Sequence, residues 1–191
     1  MKNTGYPEQN LDLKVEALLN PGTTVTLTHQ HLDQDDVWRW HSTIFNDTPW
    51  NGTTTGSFPV RIYDQERSLT YLKIAGELQD GPVQNYSATL SFQRSQDSEF
   101  QNRSPADIRD QVIDVDTYGI NVHLESALLG GNLVYGLDYY RDEIDSAGTR
   151  TGRDPRSRRP VADDSTYHLF GAFAQLRRPV TGNLEATVGA R

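Results

Sequence analysis

The chain has 191 residues, no cysteine and a formal net charge of −8. The cysteine count excludes a disulfide framework and a thiolate metal site, and the acidic balance argues against the broad basic footprint of a general nucleic-acid binder. No run approaches the 18 apolar residues of a membrane-crossing helix, and no apolar stretch of signal-peptide type follows Met1.

The pattern that recurs along the chain has a period of two, which predicts strands. The first pair covers 10–20, where Leu11, Leu13 and Val15 oppose Asp12, Lys14 and Glu16, and 23–33, joined through Asn20, Pro21 and Gly22. The second pair, 67–78 and 84–95, turns at Gln79 to Pro82, and in it Tyr86, Ala88, Leu90 and Phe92 oppose Ser87, Thr89, Ser91 and Gln93. The third pair, 113–126 and 131–143, has the clearest alternation. One face carries Tyr118, Ile120, Val122 and Leu124, then Leu133, Tyr135, Leu137 and Tyr139; the other carries Asn121, His123 and Glu125, then Asn132, Gly136 and Asp138. The fourth pair covers 165–177 and 182–191, and its stretch 167–174 is apolar on both faces.

Short connections rich in glycine and proline alternate with long polar ones, predicted at about 34–66, 96–112 and 144–164. A greasy face and a charged face on each strand, with short and long connections sorted to opposite ends, is the pattern of an outer-membrane β-barrel. Hydrophobic residues make up 35% of the chain and mean hydropathy is −0.67. Both are compatible with a barrel, because only alternate strand residues touch lipid. The fold class read from the sequence is therefore all-β, an antiparallel up-and-down transmembrane barrel segment of about eight strands. The alternative is a soluble antiparallel β-sandwich that binds carbohydrate or protein.

The stretches 28–43 (THQHLDQDDVWRWHST), 64–72 (DQERSLTYL), 115–119 (VDTYG), 133–142 (LVYGLDYYRD), 170–175 (FGAFAQ) and 184–191 (LEATVGAR) together resemble the barrel of TonB-dependent outer-membrane receptors of the haem- and siderophore-uptake type. The resemblance implies a segment of a plugged barrel of about 22 strands. It also implies import of a ferric siderophore or haem, contact with membrane lipid, and coupling to a TonB-type protein through a plug domain. In that frame 1–191 is a partial barrel domain, with signal peptide, plug and closing strands expected outside it.

A transport reading needs no bond-breaking centre, and the sequence offers no nucleophile elbow, phosphate-cradling loop or Ser/His/Asp arrangement with supporting context. Candidate ligand contacts fall in the long connections. Trp38, Trp40, His41 and Trp50 form an aromatic cluster that can stack on a flat ligand or anchor at the interface. Arg153, Arg156, Arg158 and Arg159, beside Arg150, form a dense basic run that can attract an anion. His29 and His31 share one strand face and could present two imidazoles to a metal. His123, Glu125 and Asp138 are expected to face the lumen together.

Overall fold

A computed structural model describes residues 5–45, 56–151 and 160–191. Within them the chain forms a single antiparallel sheet of eight strands in sequential order. The strands are β1 (Glu8–Asn20), β2 (Thr23–Trp38), β3 (Val60–Glu77), β4 (Asn85–Ser104), β5 (Asp107–Leu128), β6 (Gly131–Arg150), β7 (Ser165–Thr181) and β8 (Leu184–Ala190). Each strand pairs with the next, as an up-and-down meander requires.

The register fixes which residues share a face, because directly opposed side chains lie on the same side of a sheet. Val15, Leu27, Leu72, Leu90, Ile120, Tyr139 and Phe170 are successive partners across seven strands. One residue along, Glu16, Thr26, Lys73, Thr89, Asn121, Asp138 and Gly171 form the adjacent row, which points the other way. Every member of the first row is exposed, from 36% at Tyr139 to 67% at Phe170, and no hydrophobic side chain among the described residues is buried. A sandwich needs a second sheet over that apolar face. The described residues supply none.

The apolar face is a band with edges. Along β4 it runs from Tyr86 through Ala88 and Leu90 to Phe92, and these rows continue into Leu124, Val122, Ile120 and Tyr118 on β5. A further row, Ser126, Leu133, Leu176 and Val188, extends it toward the short turns. Five rows at two-residue steps cover about 27 Å along the strands, or about 20 Å at the usual tilt of about 40°, close to the lipid-facing height of an outer-membrane barrel. Aromatic rings mark both rims. Phe92 and Tyr118 meet at 5.2 Å on one, where the Tyr139 hydroxyl also lies 2.8 Å from His168 Nδ1. Tyr86 and Tyr135 lie on the other, with hydroxyls 3.1 Å from Thr23 and 3.3 Å from Ser126.

Beyond the Phe92 rim the sheet continues with polar residues on both faces, and here the structure departs from the sequence reading. The segment 96–112, expected as a long loop, is instead a ribbon in which β4 and β5 stay paired up to Ser104 and Asp107, closed by Pro105 and Ala106 alone. Water wets both faces of this ribbon, so its alternation carries no hydropathy contrast, whereas its backbone pairing continues regardless. The other two long connections shorten to 39–59 and 151–164 as β2, β3 and β6 extend. At the opposite end β5 and β6 are joined by Leu129 (φ 52°) and Gly130 (φ 73°). Both angles are positive, as a type I′ hairpin turn demands.

The double-sided apolar stretch in β7 also resolves. Phe170, Ala172 and Ala174 continue the apolar face, whereas Phe173 crosses onto the polar face opposite Gly136. A Cβ on Gly136 would lie 2.7 Å from the Phe173 ring. The glycine is therefore the hollow into which the ring lies. Gly119 serves Tyr140 in the same way on the next strand pair, with a built Cβ 2.8 Å from that ring. Glycine under a cross-strand aromatic is a recognised device for pinning register in curved sheets.

Candidate functional site on the polar face

The polar face is the hollow side of the sheet. Lys73, Thr89, Asn121, His123, Asp138 and Phe173 border a trough of about 850 Å³, and Tyr71, Ser91 and Thr117 extend it into a second of about 430 Å³. Its wall is a hydrogen-bonded lattice. Asn121 Nδ2 donates to Asp138 at 2.8 Å and to the Tyr140 hydroxyl at 2.9 Å. His123 Nε2 lies 3.6 Å from Asp138 and its ring stands edge-on to Phe173, centroids 5.1 Å apart. Asn85 and Asn132 both donate to Glu125. The expectation that His123, Glu125 and Asp138 face the same side holds; Asn121 donates to Asp138, and Asn85 and Asn132 donate to Glu125.

The same face carries a second group above the apolar band, at the ends of β2 to β6. Arg61, Gln101, Arg109 and Arg150 are successive cross-strand partners. Arg61 Nε donates to Glu99 at 2.9 Å and Arg61 Nη2 to the Tyr63 hydroxyl at 2.6 Å. Arg39 lies over the Tyr63 ring at 4.8 Å from its centroid, with Arg61 at 5.4 Å. Asp107 collects three guanidiniums. Arg150 approaches it with two donors at 2.6 and 2.8 Å, Arg109 Nε lies at 3.4 Å, and Arg103 Nη1 lies at 3.7 Å. Arg103 also covers the Phe58 ring at 4.4 Å. The hydrogen bond from Arg150 and its charge hold the Asp107 carboxyl below the usual carboxylate range against a partial desolvation penalty. Burial pushes Glu99 up, but hydrogen bonds from Tyr63, Gln101 and Arg61 outweigh it and hold Glu99 below its ordinary value.

Of the residues singled out from the sequence, Trp38 lies on the apolar side, partnered by Ile62, with its ring edge-on to Phe45 at 6.0 Å. Its row stands eight residues beyond the Thr70 and Phe92 rim, about 27 Å along the strand. The Trp40 carbonyl accepts from the backbone and hydroxyl of Thr43, and the His41 carbonyl lies 3.5 Å from Arg61 Nη1. His29 and His31 share the outward face as read, and His29 Nδ1 lies 2.9 Å from the Thr70 hydroxyl. Among the described residues neither belongs to a group of three metal-ligating side chains; Asp145, Asp163 and Asp164 form the one such group. Trp50, Arg153, Arg156, Arg158 and Arg159 lie outside the described residues. The arginine group was missed because its members are spread from 39 to 150 in sequence and only the register gathers them.

No protein-family model matches the chain, and no curated protein matches it. Among solved structures it is similar to the copper transporter OprC, with a TM-score of 0.71 at 16% sequence identity. The match covers 96% of this chain and 27% of that one, so the chain spans about a quarter of that structure's length. At this identity the likeness is one of fold.

Proposed function

We propose that the chain forms part of the wall of an outer-membrane β-barrel receptor of the TonB-dependent type, which imports a metal chelate. The observation that carries this reading is the pair of adjacent rows running across seven strands, one wholly exposed and apolar, the other polar. In water an uncovered apolar band of that extent is an aggregation hazard; in a bilayer it is the lipid-facing surface, and the aromatic rims sit at the two interfaces. The fold shared with a transporter barrel supports the same reading.

In this frame the ribbons beyond the Phe92 rim stand outside the cell and the short turns face the periplasm. Ligand is captured among the outer connections, where Trp38, Trp40, His41 and Trp50 offer stacking surfaces and Arg153, Arg156, Arg158 and Arg159 offer charge. His29 and His31 are a weaker metal-binding pair, since they face outward. The polar trough meets the plug, through which a TonB-type protein would supply energy for release. The sequence resemblance favours a ferric siderophore or haem as cargo.

Two measurements test this. With the native tryptophans replaced by phenylalanine, Leu90→Trp in vesicles is quenched by acyl-brominated lipid and Thr89→Trp is not; equal quenching at both positions refutes the wall. Deletion of the gene should abolish uptake of radiolabelled haem or ferric siderophore, and undiminished uptake of both removes the iron assignment.

A further inference from the structure

We propose that the arginine group at the top of the polar face recognises a small polyanion carrying two or more carboxylate or phosphate groups. The inference rests on reading this face as the lumen wall. Arg39, Arg61, Arg103, Arg109 and Arg150 set five guanidinium charges against the two carboxylates of Glu99 and Asp107, leaving three positive charges uncompensated within the cluster. This excess stands on a chain whose net charge is −8. An excess of one sign gathered on one concave face attracts anions.

The geometry narrows the ligand. Arg61, Gln101, Arg109 and Arg150 stand side by side on four strands, a row about 15 Å long at the strand spacing of about 4.8 Å. Several anionic groups on one molecule can therefore be engaged together. The guanidiniums are prepositioned, since Tyr63 and Phe58 rings hold Arg39 and Arg103 and Asp107 holds Arg109 and Arg150. Fixed planar forks of this kind favour carboxylate and phosphate, with two parallel hydrogen bonds to each. The cluster lies on the concave side, away from the lipid-facing band, so lipid headgroups in the same leaflet cannot reach it. Among the described residues Arg39 pairs with no carboxylate and is exposed, which makes it the first contact for an incoming anion.

The test uses the protein extracted from outer membranes in detergent, with tricarballylate and inorganic triphosphate as probes in separate calorimetric titrations. Tricarballylate has three carboxylates and no hydroxyl for iron, so it reads anion recognition apart from metal binding. The native protein should bind at least one probe saturably, more weakly as sodium chloride rises. Arg39→Gln combined with Arg109→Gln should weaken binding by about tenfold or more, the loss expected for charge-assisted hydrogen bonds. Absence of saturable binding to both probes, or a folded double variant that binds like the native protein, overturns the proposal. The lipid-quenching experiment on Leu90 is independent of these titrations, so failure of the wall and failure of the anion site are told apart.

Discussion

A charge placed at mid-band gives the sharpest test of the sheet's two faces. Leu90 is 54% exposed and sits between Leu72 and Ile120 on the apolar face. Roughly 100 Å² of its surface then faces hydrocarbon, worth about 2.5 kcal/mol at about 25 cal/mol per Å². Leu90→Arg forfeits that contact and adds about 2–4 kcal/mol for a guanidinium at the bilayer midplane, for a destabilisation of about 4.5–6.5 kcal/mol. Thr89→Arg, one residue away, points into the wet trough and should change stability by less than about 1 kcal/mol. Gln96 is on the same face as Leu90 but six residues up, beyond the rim, where it donates to Asp114 at 2.6 Å. Gln96→Arg keeps a carboxylate partner and should likewise cost under about 1 kcal/mol. The assay is denaturant unfolding in short-chain phosphatidylcholine vesicles, with the folded fraction read from mobility on unheated gels. If Leu90→Arg falls within about 0.5 kcal/mol of Thr89→Arg, the apolar face does not meet lipid and the reasoning fails.

Three further outcomes follow from the same geometry. Leu129 holds a left-handed backbone without being glycine, so Leu129→Asn, which suits a type I′ turn, should stabilise the β5–β6 hairpin by about 1 kcal/mol in the same unfolding assay. Gly136→Ala drives a methyl to 2.3 Å from the Val122 carbonyl and into the Phe173 ring; a cost of about 1–3 kcal/mol is expected, with loss of the His123–Phe173 contact visible as a shift of the histidine ring resonances. Glu99 lies seven residues beyond Phe92, in the wet ribbon, and its carboxyl is held below its ordinary value. The stability this supplies is present above the ordinary glutamate range and is lost as pH falls through the folded-state value. Hydrogen exchange in the ribbon of β3 and β4 should therefore quicken more steeply on acidification in the native protein than in Glu99→Gln.

How much of this was legible in the sequence depends on whether the two faces of a strand differ in polarity. Inside the band, each strand has one greasy and one wet face, and the third pair was read residue for residue: Ile120 does face the side of Tyr139, and Asn121 the side of Asp138. Outside the band both faces are wet, so Gln96 to Asn102 looked like loop although every one of these residues has a strand partner. The site divides on the same line. His123 and Asp138 were found because they alternate with apolar neighbours. Arg61, Arg109 and Arg150 lie where alternation is silent, and Phe173 was legible only as an anomaly until Gly136 showed where its ring rests.

Because each strand is bonded only to the strands before and after it in sequence, the sheet has no wiring to protect. A hairpin can be duplicated, deleted or exchanged during evolution by joining two edges that already match, with the alternation of apolar and polar faces carried along intact. The ribbons beyond the rim are then free to change in pairs of strands rather than at single positions. One arrangement of strands can then be shared by two chains at 16% sequence identity.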